Sequence, residues 1–183
     1  MKQFPSYERV QHIQSLADTA GRDNWVYAVV FTYQWWILVA LMIIPYIVWW
    51  KIVDRKNFFE ITTYGLLVAL FTGLLDAIGV ELDIWDYKYD LVPLLDVLIV
   101  YDVSILPITY MLVYQYFQTW RSFAMAHVIV AFVFAFVFEP ILMWLDIYHP
   151  SKWTHSYSFV GFFLVAIFLR WLMNRLIKKS KSF

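Results

Sequence analysis

Hydrophobic and polar positions alternate along this chain in long blocks rather than single steps. After a polar stretch from Met1 to Asn24, apolar residues run nearly unbroken from Val26 to Trp50. Four more runs follow, over Phe58–Val80, Leu94–Phe117, Ser122–Leu145 and Tyr157–Leu176. A bilayer core needs about 20 apolar residues in helical form, and each run meets or exceeds that length. Strands spanning a bilayer would show alternation instead of continuous apolar runs. The pattern therefore predicts an all-α, polytopic membrane helix bundle with about five transmembrane helices. The first run is long enough to tilt or to start late. Within the polar stretch, Tyr7, Val10, Ile13, Leu16 and Ala20 recur at helical spacing. That spacing fits a short amphipathic helix on the membrane surface. The domain reading is a polar tail over 1–24, a five-helix transmembrane domain over 25–177 and a basic cytoplasmic tail over 178–183. No cleavable signal peptide is expected, because no short apolar core follows a basic start.

Composition supports lipid as the solvent. Hydrophobic residues make up 62% and charged residues 15% of 183, against roughly 45–50% and 25% in a soluble domain. Ten tryptophans and thirteen tyrosines suit the two membrane–water boundaries. The formal charge is zero, so a nucleic-acid footprint is not expected. With no cysteine, disulfides, thiolate-held metals and thiol nucleophiles are excluded.

Basic residues set the expected orientation. Lys51, Arg55, Lys56, Arg121, Arg170, Arg175, Lys178, Lys179 and Lys181 fall on one side. Lys2, Arg9, Arg22, Lys88 and Lys152 fall on the other, together with Glu81, Asp83, Asp86, Asp90 and Asp146. The richer side is expected to be cytoplasmic, with the N-terminus outside and the C-terminus inside, in a multi-pass cell-membrane protein.

Charged groups inside a bilayer cost roughly 2.5–3.5 kcal/mol each on insertion scales and so mark function. Asp76, Asp96, Asp102 and Glu139 stand within the apolar runs. Counting 1.5 Å per residue, Asp102 lies roughly 12 Å and Glu139 roughly 9 Å below the outer surface, with Asp76 at a similar level. His155 precedes the fifth run on the same side. Asp96 is shallower and does not share a helix face with Asp102. Three helices thus bring carboxylates to one half of the membrane beneath a histidine. Such a cluster can share a proton, bind an oxygen-seeking cation, or, with Asp76, Asp102, Glu139 and His155 as ligands, hold a transition metal. It can also fix helix packing by hydrogen bonding. Tyr110, Tyr114 and Gln115 could complete the site, although they do not share one narrow stripe with Asp102. Pro107 and Pro140 free backbone carbonyls at membrane depth, and His127, remote from the acids, is expected to be a packed neutral histidine.

The stretches Leu74–Pro93 (LLDAIGVELDIWDYKYDLVP), Tyr101–Phe117 (YDVSILPITYMLVYQYF), Phe138-Glu139-Pro140 and Trp153-Thr154-His155-Ser156-Tyr157 resemble an uncharacterised family of small membrane proteins from spore-forming Gram-positive bacteria. The resemblance implies a five-helix membrane fold and motif positions at Asp76, Trp85, Tyr87, Asp102, Tyr114, Gln115, Glu139 and His155. It implies no activity. The run Trp85–Asp96 (WDYKYDLVPLLD) more faintly resembles membrane-embedded carotenoid cyclases, except that the single Asp96 stands where those have an acidic pair. The Trp-Thr-Pro-Pro loop of the tryptophan-rich sensory proteins is absent. The leading expectation is an outer-leaflet carboxylate–histidine site for a proton, a cation or a small polar headgroup. The alternatives are a membrane enzyme acting on an isoprenoid or other lipid, and an accessory subunit whose acids pair with a membrane-protein partner or a second copy. The sequence names no cofactor.

Overall fold

The computed structural model describes residues 4–93 and 97–180. Helix α1 (Tyr7–Asn24) passes through a π-helical turn (Trp25–Val29) towards α2 (Tyr33–Ile52), and a single 3₁₀ turn (Arg55–Asn57) leads into α3 (Phe58–Glu81). A short strand β1 (Trp85–Tyr87) follows. A second π turn (Tyr101–Ile105) then opens α4 (Leu106–Tyr116). Helix α5 (Trp120–Val133), a third π turn (Phe134–Phe138) and α6 (Glu139–Trp144) form one continuous rod. Strand β2 (Tyr148–Pro150) and α7 (His155–Ser180) complete the chain. Among the described residues four segments are long and apolar enough to cross a membrane: Tyr33–Ile52, Arg55–Glu81, Trp120–Trp144 and His155–Ser180. The third apolar run is helical over 99–116, shorter than expected, and part of its expected start lies outside the described residues.

The first apolar run starts its helix late, because Phe31 takes a left-handed φ of 65° and the Thr32 hydroxyl caps α2 by accepting from Trp35 N. α1 buries none of its residues. Along α2, Ile43, Ile44, Ile47 and Val48 stay exposed, a large apolar face that suits lipid rather than water. The core instead forms where α3, α4, α5 and α7 meet, around Tyr64, Val68, Tyr110, Phe123 and Leu169.

The prolines explain part of the packing. A helix-interior proline frees the carbonyl four residues earlier. Pro45 lies inside α2, and the carbonyl of Leu41 accepts from the Ser104 hydroxyl at 3.0 Å. Pro107 begins α4, and the carbonyl of Val103 accepts from the Tyr46 hydroxyl at 2.6 Å. Each proline therefore opens an acceptor that the facing element fills, which stitches α2 to the π turn of Tyr101–Ile105. Pro140, the second residue of α6, also comes just after a π turn, which takes up the change in backbone hydrogen bonding ahead of it.

Two three-residue strands, unexpected from the apolar pattern, join the loops beyond α3 and α6. They pair antiparallel, with Trp85 opposite Pro150 and Tyr87 opposite Tyr148. Both helices end in the same way. Asp83 (φ 51°) and Asp146 (φ 60°) occupy the left-handed position. Ile84 N bonds back to Gly79 O, and Ile147 N to Leu142 O, the backbone motif that closes a helix and reverses the chain. Aspartate tolerates this conformation better than most residues.

Candidate functional site

Side chains in a strand alternate between its two faces, so Trp85 and Tyr87 point together while Asp86 is exposed. Both point at Asp76, near the end of α3. Trp85 Nε1 and Tyr87 OH each donate to Asp76 Oδ1 at 2.7 Å, and Leu98 N donates to Oδ2 at 3.0 Å. Burial and the neighbouring Asp76 carboxylate push the Tyr87 hydroxyl well above its usual range, which keeps it a donor at neutral pH. Trp85 can come this close because Gly79 has no Cβ. One placed there would lie 1.9 Å from the indole Cζ2.

Asp102 sits on the π turn before α4 and packs over Gly73 of α3, whose Cβ would lie 4.0 Å from that of Asp102. Thr72 Oγ1 donates to the Asp102 carbonyl at 3.4 Å. The Asp102 carboxyl lies against that of Asp76, and its Oδ2 is buried without a hydrogen-bond donor. Glu139, first residue of α6, accepts from His155 Nδ1 at 2.7 Å. The Ser158 hydroxyl faces the same carboxyl and accepts from Trp153 Nε1 at 2.9 Å.

All three acids border one cavity of about 350 Å³, whose remaining walls include Trp85, Tyr101, Leu106, Leu142, Phe162 and Val165. The expected convergence of Asp76, Asp102 and Glu139, with His155 on Glu139, is therefore present. The chemistry is distributed differently from expectation. Among the described residues Asp76 accepts from three protein donors, Glu139 is matched by His155, and Asp102 is left with a buried oxygen that no donor reaches. Among the described residues no three His, Asp or Glu groups gather closely enough to hold a metal ion, so the grouping of Asp76, Asp102, Glu139 and His155 as metal ligands has no such geometry.

The other candidates separate. Tyr110 is fully buried and donates to Phe162 O at 2.7 Å, with His127 edge-on at 4.8 Å. Tyr114 and Gln115 lie at the far end of the bundle. Tyr114 OH donates to Glu60 Oε1 at 2.6 Å, while Gln115 accepts from Asp54 N and donates to Ile52 O. None of these three lines the cavity. Asp96 lies outside the described residues. His127 is buried against Phe123, and among the described residues its ring bonds through Nδ1 to the Phe123 carbonyl, as a packed histidine would.

Sequence reasoning missed Tyr101, Tyr148, Trp153, Ser158 and Gly161 as cavity residues. The signal available is the cluster of aromatics in the two loops flanking the acids, Trp85, Tyr87, Tyr148 and Trp153. Gly161 opens space: a Cβ there meets nothing within 4 Å.

No protein-family model matches the chain, and no curated protein or solved structure is significantly similar to it.

Proposed function

We propose that the protein is a multi-pass cell-membrane protein that takes an apolar molecule with a polar headgroup, a small lipid, into the cavity bordered by Asp76, Asp102 and Glu139. One observation carries this reading: a cavity of about 350 Å³ walled mostly by apolar side chains, yet bordered by a carboxyl group from each of three elements. An apolar body fits those walls and a polar group fits Asp102, whose Oδ2 has no donor. The helix over 99–116, roughly 27 Å long at 1.5 Å per residue, serves as a fifth span beside the four longer ones. The basic residues put the N-terminus outside and the C-terminus in the cytoplasm. The acids then lie in the outer leaflet. In this reading the chain is one of the small membrane proteins that its loop motifs resemble.

The test exploits Gly161. A Cβ at this position meets nothing within 4 Å, and Gly161 stands in the cavity wall, so leucine there takes up cavity space. Purified wild type should retain a distinct lipid in extracts analysed by mass spectrometry, and Gly161→Leu should lose it while unfolding at the same temperature. Identical lipid content in the two proteins overturns the reading. Because the chain has no cysteine, single substitutions at Asp54, Asp86, Arg121, Lys152 and Lys178 report orientation. Outside labelling at Asp54 and Lys178 reverses it.

The contact between Asp102 and Asp76 favours a second reading, an enzyme acting on an isoprenoid or other lipid. The Asp102 oxygen that no donor reaches is satisfied if it holds a proton and donates it to Asp76. A carboxylic acid at the wall of an apolar cavity can protonate an alkene.

A further inference from the structure

A second cavity, of about 400 Å³, lies at the opposite end of the bundle, with Glu60 and Arg170 in its wall. Glu60 and Asp76 stand on the same helix sixteen residues apart, roughly 24 Å at 1.5 Å per residue. The two cavities are therefore separate.

Arg170, counted in the sequence among the charges of a basic boundary, is only 5% exposed. Its Nη1 donates to Phe117 O at 2.7 Å, and its Nη2 donates to Gln118 O. It thus takes up carbonyls left open where α4 ends. The rings of Phe123, Trp120 and Tyr114 lie 4.2, 5.2 and 5.7 Å from the guanidinium carbon. A counter-charge is missing. Arg170 has no carboxylate partner within salt-bridge distance among the described residues, and its Nε is buried without an acceptor. Taking a charge out of water is costly, and the ring contacts and carbonyl hydrogen bonds supply no opposite charge, so a partner of opposite sign is favoured.

Tyr114 stands between this cation and an anion. Its ring faces Arg170, and its hydroxyl donates to Glu60 Oε1. The other carboxylate in the wall is already engaged: Asp54 accepts from Lys56 N and Asn57 Nδ2 within its own turn. The cavity therefore offers one cationic and one anionic side chain held apart by a tyrosine. A simple anion would be repelled by Glu60, and a simple cation by Arg170.

We propose that this cavity binds a zwitterionic ethanolamine-phosphate group, with the phosphate on Arg170 and the primary ammonium on Glu60. Gln118 and Asn174, also in its wall, carry amides that can donate to the phosphate. The group can arrive as the headgroup of a bilayer lipid or as soluble phosphoethanolamine. The site does not depend on the cavity among the acids.

The test uses the full-length protein reconstituted in bilayers of phosphatidylethanolamine, phosphatidylcholine and phosphatidylglycerol in equal parts. It is then re-extracted, and its retained lipid is quantified by mass spectrometry. The quaternary ammonium of phosphatidylcholine has no N–H to donate to Glu60, and phosphatidylglycerol has no amine. Phosphatidylethanolamine should be enriched about tenfold, the selectivity expected of one charge-assisted hydrogen bond. Glu60→Gln keeps an acceptor for Tyr114 and should abolish the enrichment without loss of folding. Arg170→Lys should weaken it, and if that variant fails to fold, Glu60→Gln still decides. A rise in Tm with soluble phosphoethanolamine and no lipid enrichment supports the same site filled from solution. Neither enrichment nor a rise in Tm, or enrichment unchanged in Glu60→Gln, overturns the proposal.

Discussion

Removing the Asp76 carboxyl should cost far more than removing that of Asp102, although both are buried acids in contact. Two opposing effects meet at Asp76. A buried carboxylate carries a desolvation penalty that an apolar replacement relieves. Asp76, however, accepts from Trp85 Nε1, Tyr87 OH and Leu98 N. In Asp76→Leu the Tyr87 hydroxyl can turn aside, but the indole N–H and the backbone N–H remain fixed and buried. Stranded donors cost about 1–3 kcal/mol each, and hydrogen bonds to a charged acceptor contribute about 1.5–3. Three of them together outweigh the relief of desolvation and leave a net loss of roughly 3–6 kcal/mol. Asp76→Asn retains an oxygen for two donors but turns an amide towards the third, a loss of about 1–3 kcal/mol. For a chain of this size 1 kcal/mol shifts Tm by about 2–4 °C, so Asp76→Leu should unfold roughly 6–24 °C below wild type. Asp102→Asn should fall much less, because its Oδ2 receives no donor. Thermal unfolding followed by tryptophan emission in one detergent compares all four proteins. If Asp76→Leu unfolds within about 2 °C of wild type, or if Asp102→Asn is the more damaging change, the donor-saturated picture of Asp76 is wrong.

Gly79→Ala should destabilise by about 1–3 kcal/mol through overpacking, since the new Cβ would meet the Trp85 ring; Gly161→Ala is its neutral control, and equal Tm values for the two would refute the close approach. Ser104→Ala should strand the Leu41 carbonyl beside Pro45 and cost about 1–3 kcal/mol. An unchanged Tm would mean that the carbonyl finds another donor. At the surface, the hydrogen bond with Lys88 holds Asp146 below the usual carboxylate range, and the same bond holds Lys88 above the usual lysine range. The stabilisation by Asp146 is present above the ordinary carboxylate pKa and lost as pH falls through its lowered folded value. That by Lys88 is present below the ordinary lysine pKa and lost as pH rises through its raised one. Lys88→Met should therefore differ slightly from wild type at neutral pH and low salt, and the difference should vanish in acid and in high salt. A gap in Tm that persists under acid conditions counts against the ion pair.

The sequence by itself determined the helical class, the rough extent of four long apolar rods and which acids the rods carry towards a common end. Each of these depends on residues near one another in the chain: an apolar run has a length, and a helix has a fixed rise. On that basis Asp76, Asp102, Glu139 and His155 could be expected at one level, and they do meet. What each acid does was decided only in three dimensions, because it depends on which donors arrive from elsewhere. Asp76 is claimed by a strand and by a backbone amide that follow it in the chain, Glu139 by a histidine on the next helix, while Asp102 keeps one oxygen that no donor among the described residues reaches. The same reason separates Tyr114 and Gln115 from the acids: they share a helix with the π turn carrying Asp102, but helical rise carries them towards the other end of the bundle. Arg170 reverses most sharply between the two levels. Its position beside lysines reads as a boundary charge, whereas the way α7 packs on the end of α4 buries it beneath three rings with no carboxylate partner among the described residues. Hydropathy along the chain counts a residue as charged or apolar, and only packing decides whether that charge has a partner.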